Sequence, residues 1–285
     1  MVEFEVPEID YDRYTNRQLA AVPLAVLGLA LLVILAWIVL YGTPVALGFD
    51  FAGGTELRVA TTDSVEQVQD TFGVQEGAVS PIGDGNEYLI ETGSVDGGVL
   101  QQRADSAGYT VLQIQERSAS FGGDSQRTAL IGLAVAFGGM SLLVFGLFRT
   151  FVPSIAVVVS AFSDIMIPVA LMNLLGIELS LGTVAALLML IGYSVDSDIL
   201  LNNHILRRRG EFYESTYNAM QTGVTMTVTS ISAMVVMTIT ARLFAIPLLP
   251  DIGLILVFGL TADLMNTYML NLSLLRWYKF EGVAR

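Results

Sequence analysis

The stretch LAAVPLAVLGLALLVILAWIVL, Leu19 to Leu40, carries no charged side chain. A helix needs about 20 consecutive apolar residues to cross the hydrocarbon core of a bilayer, so this run predicts a membrane span. Five more runs of the same kind follow: Ala129 to Phe148, Phe151 to Leu175, Leu181 to Leu201, Gly223 to Arg242 and Ile252 to Leu275. Pro168 interrupts the third of the six, where neighbouring helices can satisfy the carbonyl it frees. The expected fold class is a polytopic α-helical membrane protein with six transmembrane helices and a small α+β domain. The expected organisation is an N-terminal segment over 1–18, a first helix over 19–41, a soluble insert over 42–127, a five-helix bundle over 128–275 and a tail over 276–285.

The composition agrees. Of 285 residues, 53% are hydrophobic and 14% charged, against roughly 25% charged in soluble domains. The mean hydropathy is +0.63. Met1 to Gln18 is polar and acidic and lacks the basic start and short apolar stretch of a cleaved signal peptide, so the first span reads as a retained helix. The net charge is −13, with 27 acidic and 14 basic residues, and Lys279 is the single lysine. That balance argues against a nucleic-acid partner. An acidic, lysine-poor surface suits a high-salt organism, and a GC-rich genome would also favour Arg over Lys. With no cysteine, disulfides, thiolate chemistry and Cys-bound metal are excluded.

Basic residues near helix ends set orientation. Arg13 and Arg17 precede the first span, Arg149 separates the second from the third, Arg207, Arg208 and Arg209 follow the fourth, and Arg276, Lys279 and Arg285 follow the sixth. On the other face, the turn around Gly176 has no basic residue and the fifth-to-sixth turn only Arg242. Both termini are therefore expected on the cytoplasmic side of the cell membrane, with the insert on the exterior.

Within the insert, Thr55 to Ala60 alternates as a strand, and Val65, Val68 and Phe72 recur at helical spacing behind Thr62 or Asp63 as cap candidates. Ala78 to Ile82 and Tyr88 to Glu91 flank Gly83-Asp84-Gly85-Asn86, a hairpin signal. Val95 to Ala107 reads as a helix stopped by Gly108, and Thr110 to Gln115 as a last strand. The order βαββαβ is the ferredoxin-like split motif. Ser118 to Ser125 is small and polar and reads as a linker back to the membrane.

Acids inside a membrane are costly and mark ion paths or interhelical partners. Asp164 and Asp263 lie near the middle of the third and sixth spans, and Asp196 and Asp198 in the C-terminal half of the fourth. All four are candidates for a proton or ion relay; Asp198 could also simply mark the boundary of its span. Gln221, Thr225 and Thr229 form a polar face on the fifth span that could meet Asp196 or serve helix packing. His204 has no neighbours at metal-ligand spacing. There is no phosphate-binding glycine loop followed by Lys-Ser/Thr and no nucleophile–base set, so neither ATP-driven chemistry nor an enzyme is expected, and no cofactor beyond H+ or Na+.

Gly48-Phe49-Asp50-Phe51-Ala52-Gly53-Gly54-Thr55-Glu56-Leu57 resembles the first signature of the SecD/SecF protein-export family, and Ile191-Gly192-Tyr193-Ser194-Val195-Asp196-Ser197-Asp198 resembles its fourth-helix signature. Six helices with one small exterior domain look like the SecF type; SecD has a larger insertion. The resemblance implies a partnership with SecD and the Sec translocon channel, contact with exported polypeptides and membrane lipid, a fold similar to half of a resistance-nodulation-division transporter, and coupling to a proton or sodium gradient as in bacterial relatives. Asp50, Phe51, Gly53, Gly54, Thr55, Gly192, Tyr193 and Ser194 are the motif positions it assigns. Where bacterial relatives typically read Asn-Asp-Thr, this chain has Asp196-Ser197-Asp198, and Gln221 stands where they have an arginine. The pattern resembles an archaeal branch, and the acidic composition a haloarchaeal one. A half-size transporter of lipids or small molecules, and a purely structural subunit, remain alternatives.

Overall fold

In a computed structural model of the chain, residues 9–75, 77–83, 86–93, 96–207 and 212–282 are described. Asp84, Gly85, Val95, Arg208, Arg209 and Arg285, used above, lie outside them.

Among the described residues, six helices are long and apolar enough to cross a membrane: Asn16–Tyr41, Ser120–Phe148, Phe151–Leu175, Leu181–Leu206, Phe212–Leu243 and Leu249–Gly282. The first, α1 (Asn16–Tyr41), starts on a capping box in which Thr15 and Gln18 satisfy each other's backbone N–H groups. Its buried side chains, Leu19, Pro23, Leu27, Ala30 and Ile34, recur every three or four residues. This stripe packs on α6 (Phe151–Leu175), where Ala30 and Ile34 meet Ile167 and Ala170. The other faces of α1 stay open, as lipid contact requires; Val39 is 76% exposed.

The centre of the bundle is α6, α7 (Leu181–Arg207) and α9 (Leu249–Met265), joined through Ile165, Leu187, Leu190, Ile255, Leu256 and Leu260. Gly259 lets α9 approach α7 closely, since a Cβ there would overlap Leu190. Beyond α9 the sixth span continues as a π-helical turn, Asn266–Asn271, and then α10 (Leu272–Trp277). Pro168 sits inside an unbroken α6.

The insert has strands β1 (Gly54–Ala60), β2 (Val79–Ile82), β3 (Glu87–Thr92) and β4 (Thr110–Arg117), with helices α3 (Val65–Phe72) and α4 (Gly97–Ala107). All strand pairs are antiparallel, in the order β2-β3-β1-β4. This is the βαββαβ arrangement read from the sequence. Leu57, Val59 and Ile90 of the sheet pack on Val68, Phe72, Leu100 and Ala104 of the helices.

Two expectations are corrected. The cap of α3 is Ser64, reciprocated by Gln67, in place of Thr62 or Asp63. The stretch Ser118 to Ser125 is not a linker: Ser118 accepts a hydrogen bond from Phe121 N and caps α5 (Ala119–Phe148), so the helix of the second span continues unbroken to the domain. Gly122 on this extension lies so close to a short helix α2 (Phe49–Ala52) that a Cβ would overlap the Phe51 carbonyl. Glycine here serves close approach, not flexibility.

Candidate functional site

Three carboxyl groups meet in the middle of the bundle, one each from α6, α7 and α9, and all are buried: Asp164, Asp198 and Asp263. Ser194 Oγ donates to Asp164 Oδ2 at 2.6 Å, and Asn266 Nδ2 donates to its other oxygen at 2.5 Å. Asp198 Oδ1 accepts from Thr267 Oγ1 at 2.9 Å and from Asn271 Nδ2 at 2.7 Å. Asp263 Oδ1 accepts from Ser197 Oγ at 2.7 Å and lies 3.2 Å from Thr267 Oγ1. Thr267 thus stands between two of the acids. Asp198 Oδ2 is buried with no hydrogen-bond partner among the described residues.

The π turn makes this convergence possible. In a regular α-helix, Asn266, Thr267 and Asn271 would fan over an arc wider than one facing surface, at 100° per residue. The wider π turn brings all three to bear on α6 and α7, and such turns often occur at functional sites. Neither the turn nor Ser197, Asn266, Thr267 and Asn271 as donors was anticipated. Their signal in the sequence is the run of polar residues at 263, 266, 267 and 271 in an otherwise apolar span.

Asp196 does not join the others. Ser194, Ser197 and Asp198 face the network, whereas Asp196 is exposed on the outer side of α7 together with Gly192 and Tyr193. Because α7 runs to Arg207, Asp196 lies just past the helix midpoint, within its C-terminal half. Gln221, Thr225 and Thr229 of α8 (Phe212–Leu243) are exposed too and make no contact with the network. Thr225 and Thr229 hydroxyls donate to carbonyls one turn back on their own helix. His204 Nδ1 lies 2.9 Å from the Leu200 carbonyl, and among the described residues no group of three or more acids or histidines is placed to hold a metal ion.

The first glycine-rich motif forms a second structure, at the junction of the insert and the bundle. Asp50 Oδ1 pairs with Arg117 at the end of β4 at 2.9 Å, and Asp50 Oδ2 accepts from Leu181 N, the first residue of α7, at 2.9 Å. Arg117 also lies over the rings of Phe49 and Phe121, 5.3 and 5.7 Å from their centroids. Phe51 is buried in the bundle core beside Val45. Gly53 and Gly54 take φ of 76° and 134°, and a Cβ at Gly54 would overlap the Thr92 carbonyl. Chain 46–48 runs alongside Leu179, with Leu179 N donating to Ala46 O at 2.7 Å and Gly48 N to Leu179 O at 3.0 Å. Acids gather around this joint. Glu91 stands opposite Glu56 across the β1–β3 pair. Burial, then the charges of Glu178, Glu56 and Asp50, pushes the Glu91 carboxyl up to about 7. Burial and Asp50 raise Glu56 against the opposing pull of Arg117.

Six spans around a polar, carboxyl-lined centre, with one βαββαβ domain clamped to one end, define a multi-pass membrane protein. Residues 100–281 match the family described as protein export membrane protein SecD/SecF, C-terminal. The protein-export membrane protein SecF of Haloferax volcanii is 67% identical, and that of Haloquadratum walsbyi 61% identical, each alignment covering 100% of both chains. The SecF of Pyrococcus furiosus is 38% identical over 91% of this chain and 90% of its own. A crystal structure of SecDF, a translocon-associated membrane protein from Thermus thermophilus, superposes with a TM-score of 0.71 at 21% identity, which is a likeness of fold. The match covers 97% of this chain and 39% of that one. The chain belongs to the SecD/SecF family of protein-export membrane proteins, and within it to the SecF type.

Proposed function

We propose that this SecF-type chain works with a SecD subunit at the Sec translocon channel, promoting late steps of translocation, and that protons or sodium ions moving through the carboxyl network drive it. One observation carries the reading: three buried acids from three helices are cross-tied by hydroxyl and amide donors, with no basic side chain bonded to them among the described residues. Burying charge in a bilayer demands compensation. Without an internal cation, bound protons or a small cation would supply that compensation. The network spans helices whose relative position its occupancy would bias.

The insert acts on exported polypeptides on the exterior, and both termini lie in the cytoplasm of the cell-membrane-embedded subunit. The clustering of basic residues supports this orientation. Arg276 donates to the Tyr11 and Tyr14 carbonyls, so the start of the first span and the end of the sixth share one membrane end, with the insert at the other. The match to 39% of the solved SecDF chain fits a protein that supplies part of a larger assembly.

The test is export of a secreted reporter in cells or inverted vesicles carrying Asp164→Asn, Asp198→Asn or Asp263→Asn, with the proton and sodium gradients collapsed separately. Loss of the gradient-dependent part of export, with the subunit still present at normal abundance, is the expected result. Unchanged gradient dependence in all three variants would leave a structural subunit. Normal export with altered lipid or small-molecule flux would point to the transporter alternative.

A further inference from the structure

The segment ahead of the first span folds back against one end of the bundle. Tyr11, in a single 3-10 turn over Tyr11–Arg13, is 6% exposed, whereas Tyr14 is 49% exposed. The Tyr11 ring sits in a collar of apolar side chains: Leu201 and Ile205 of α7, Phe212 and Met220 of α8, and Leu272 and Leu275 of the sixth span. A polar path leads from the carboxyl network to that collar. On α7, Asp198, Leu201, Asn202 and Ile205 are all buried and recur at intervals of three and four, so one inner stripe runs from the network to Tyr11. Both polar atoms of the Asn202 side chain, together with Asn271 Oδ1 and Asp198 Oδ2, are buried with no hydrogen-bond partner among the described residues. Buried amides in this state are costly and draw water.

The segment is held weakly at its centre and firmly at its rim. Tyr11 Oη donates to Met220 Sδ at 3.3 Å, and a thioether is a weak acceptor. Arg276 donates to the Tyr11 carbonyl at 2.9 Å and to the Tyr14 carbonyl at 2.7 Å, and it also bonds the Asn16 side chain. Arg276 follows Asn271 on the sixth span, and the Asn271 amide holds Asp198. The same helix end therefore touches both the network and the segment. We infer that residues 9–15 form a plug at the end of the bundle that carries both termini, with Tyr11 closing a water path between that side and Asp198, and Arg276 latching it shut. The inference rests on the ion-coupled reading above and deepens it by naming the gate on one side of the network. The plug closes by shape: its ring fills the apolar collar, and lifting it joins the Asn202 and Asn271 amides to the aqueous phase.

The chain has no cysteine, so Asn202→Cys in the full-length protein reports whether water reaches the stripe. Inverted and right-side-out membrane vesicles are treated with a small, membrane-impermeant cationic thiosulfonate, and the labelling rate is read by mass. With Tyr11 in place, labelling should be slow from both faces. Tyr11→Ala should speed it at least about tenfold in inverted vesicles alone, while Tyr11→Phe, which keeps the ring, should stay within about twofold of the parent. Met172→Cys, fully buried on α6, should stay unlabelled in every background. If it labels in the alanine variant, that variant has lost its fold, and Arg276→Gln decides instead: a rise of about threefold at Asn202→Cys is expected, and an unchanged rate overturns the plug. Equal rates with tyrosine or alanine at position 11 overturn it too, as does labelling that speeds up only in right-side-out vesicles. Labelling needs neither a gradient nor export, so the two readings fail separately. Unchanged gradient dependence of export in the three acid variants removes the ion-coupled reading, whereas a rate indifferent to Tyr11 and Arg276 removes the plug.

Discussion

Ser194 Oγ lies 2.6 Å from Asp164 Oδ2, tying α7 to α6 at the heart of the bundle. Asn266 holds the other oxygen of the same carboxyl from the sixth span. One acid is therefore gripped by two helices that are not its own, and its hydrogen bonds report the relative position of three.

Removing that grip separates shape from charge. Asp164→Asn retains a polar side chain of the same size, so the protein should accumulate normally while gradient-dependent export falls. Asp164→Leu strands Ser194 and Asn266 in the bilayer, at a cost of about 1–3 kcal/mol, and should lower abundance. Immunoblots of membranes beside the export assay distinguish the two. Equal abundance for both variants would show that the network contributes nothing to folding.

The junction should yield to a change at Asp50. Asp50→Ala removes both the ion pair with Arg117 and the acceptor for Leu181 N. Losing a helix-start acceptor alone costs about 1 kcal/mol. Hydrogen exchange should accelerate at residues 181–183 and in the last residues of β4, with the bundle interior unchanged. Protection that stays intact at 181–183 would refute the clamp.

A pH dependence follows from Glu91. Its carboxyl stands at about 7 against an ordinary 4.5, so around pH 6 the folded protein holds a proton that the unfolded chain has released. The stabilisation is full below about 4.5 and is lost as pH rises through 7. By its accessible surface Glu91 is exposed, so solvent screening makes the effect much smaller than the full shift implies. Glu91→Gln should raise the melting temperature at pH 8 by about 2–4 °C and flatten its fall between pH 5 and 8. A variant that melts with an unaltered pH profile would rule this out.

Gly259 offers a packing test. Gly259→Ala sets a methyl against Leu190, and overpacking of this kind costs about 1–3 kcal/mol. Adding Leu190→Ala should recover part of the loss, measured by thermal unfolding in detergent. Additive losses in the double variant would mean that the two residues do not press on each other.

The six spans and the βαββαβ insert are legible in the sequence because apolar runs and turn residues act locally. The site is legible only in part. Asp164, Asp198 and Asp263 announce themselves as acids in apolar surroundings. Asp196 announces itself in the same way, yet one helical step of 100° separates it from the network. The donors of the π turn follow a period that no α-helical template matches. The start of α5 reads as a linker because Gly122, Gly123 and the serines are poor helix formers. It is helical because α2 packs against it through the space Gly122 leaves.

Helix α7 begins at Leu181, whose N–H is held by Asp50, and about 25 Å further along its axis it carries Asp198 into the carboxyl network. The two signature motifs of the chain, far apart in sequence, therefore meet on a single rod, one at its start and the other just past its middle. A shift of that rod along its length cannot be felt at one end alone. A displacement of the domain and a change at the three acids would therefore share one mechanical axis.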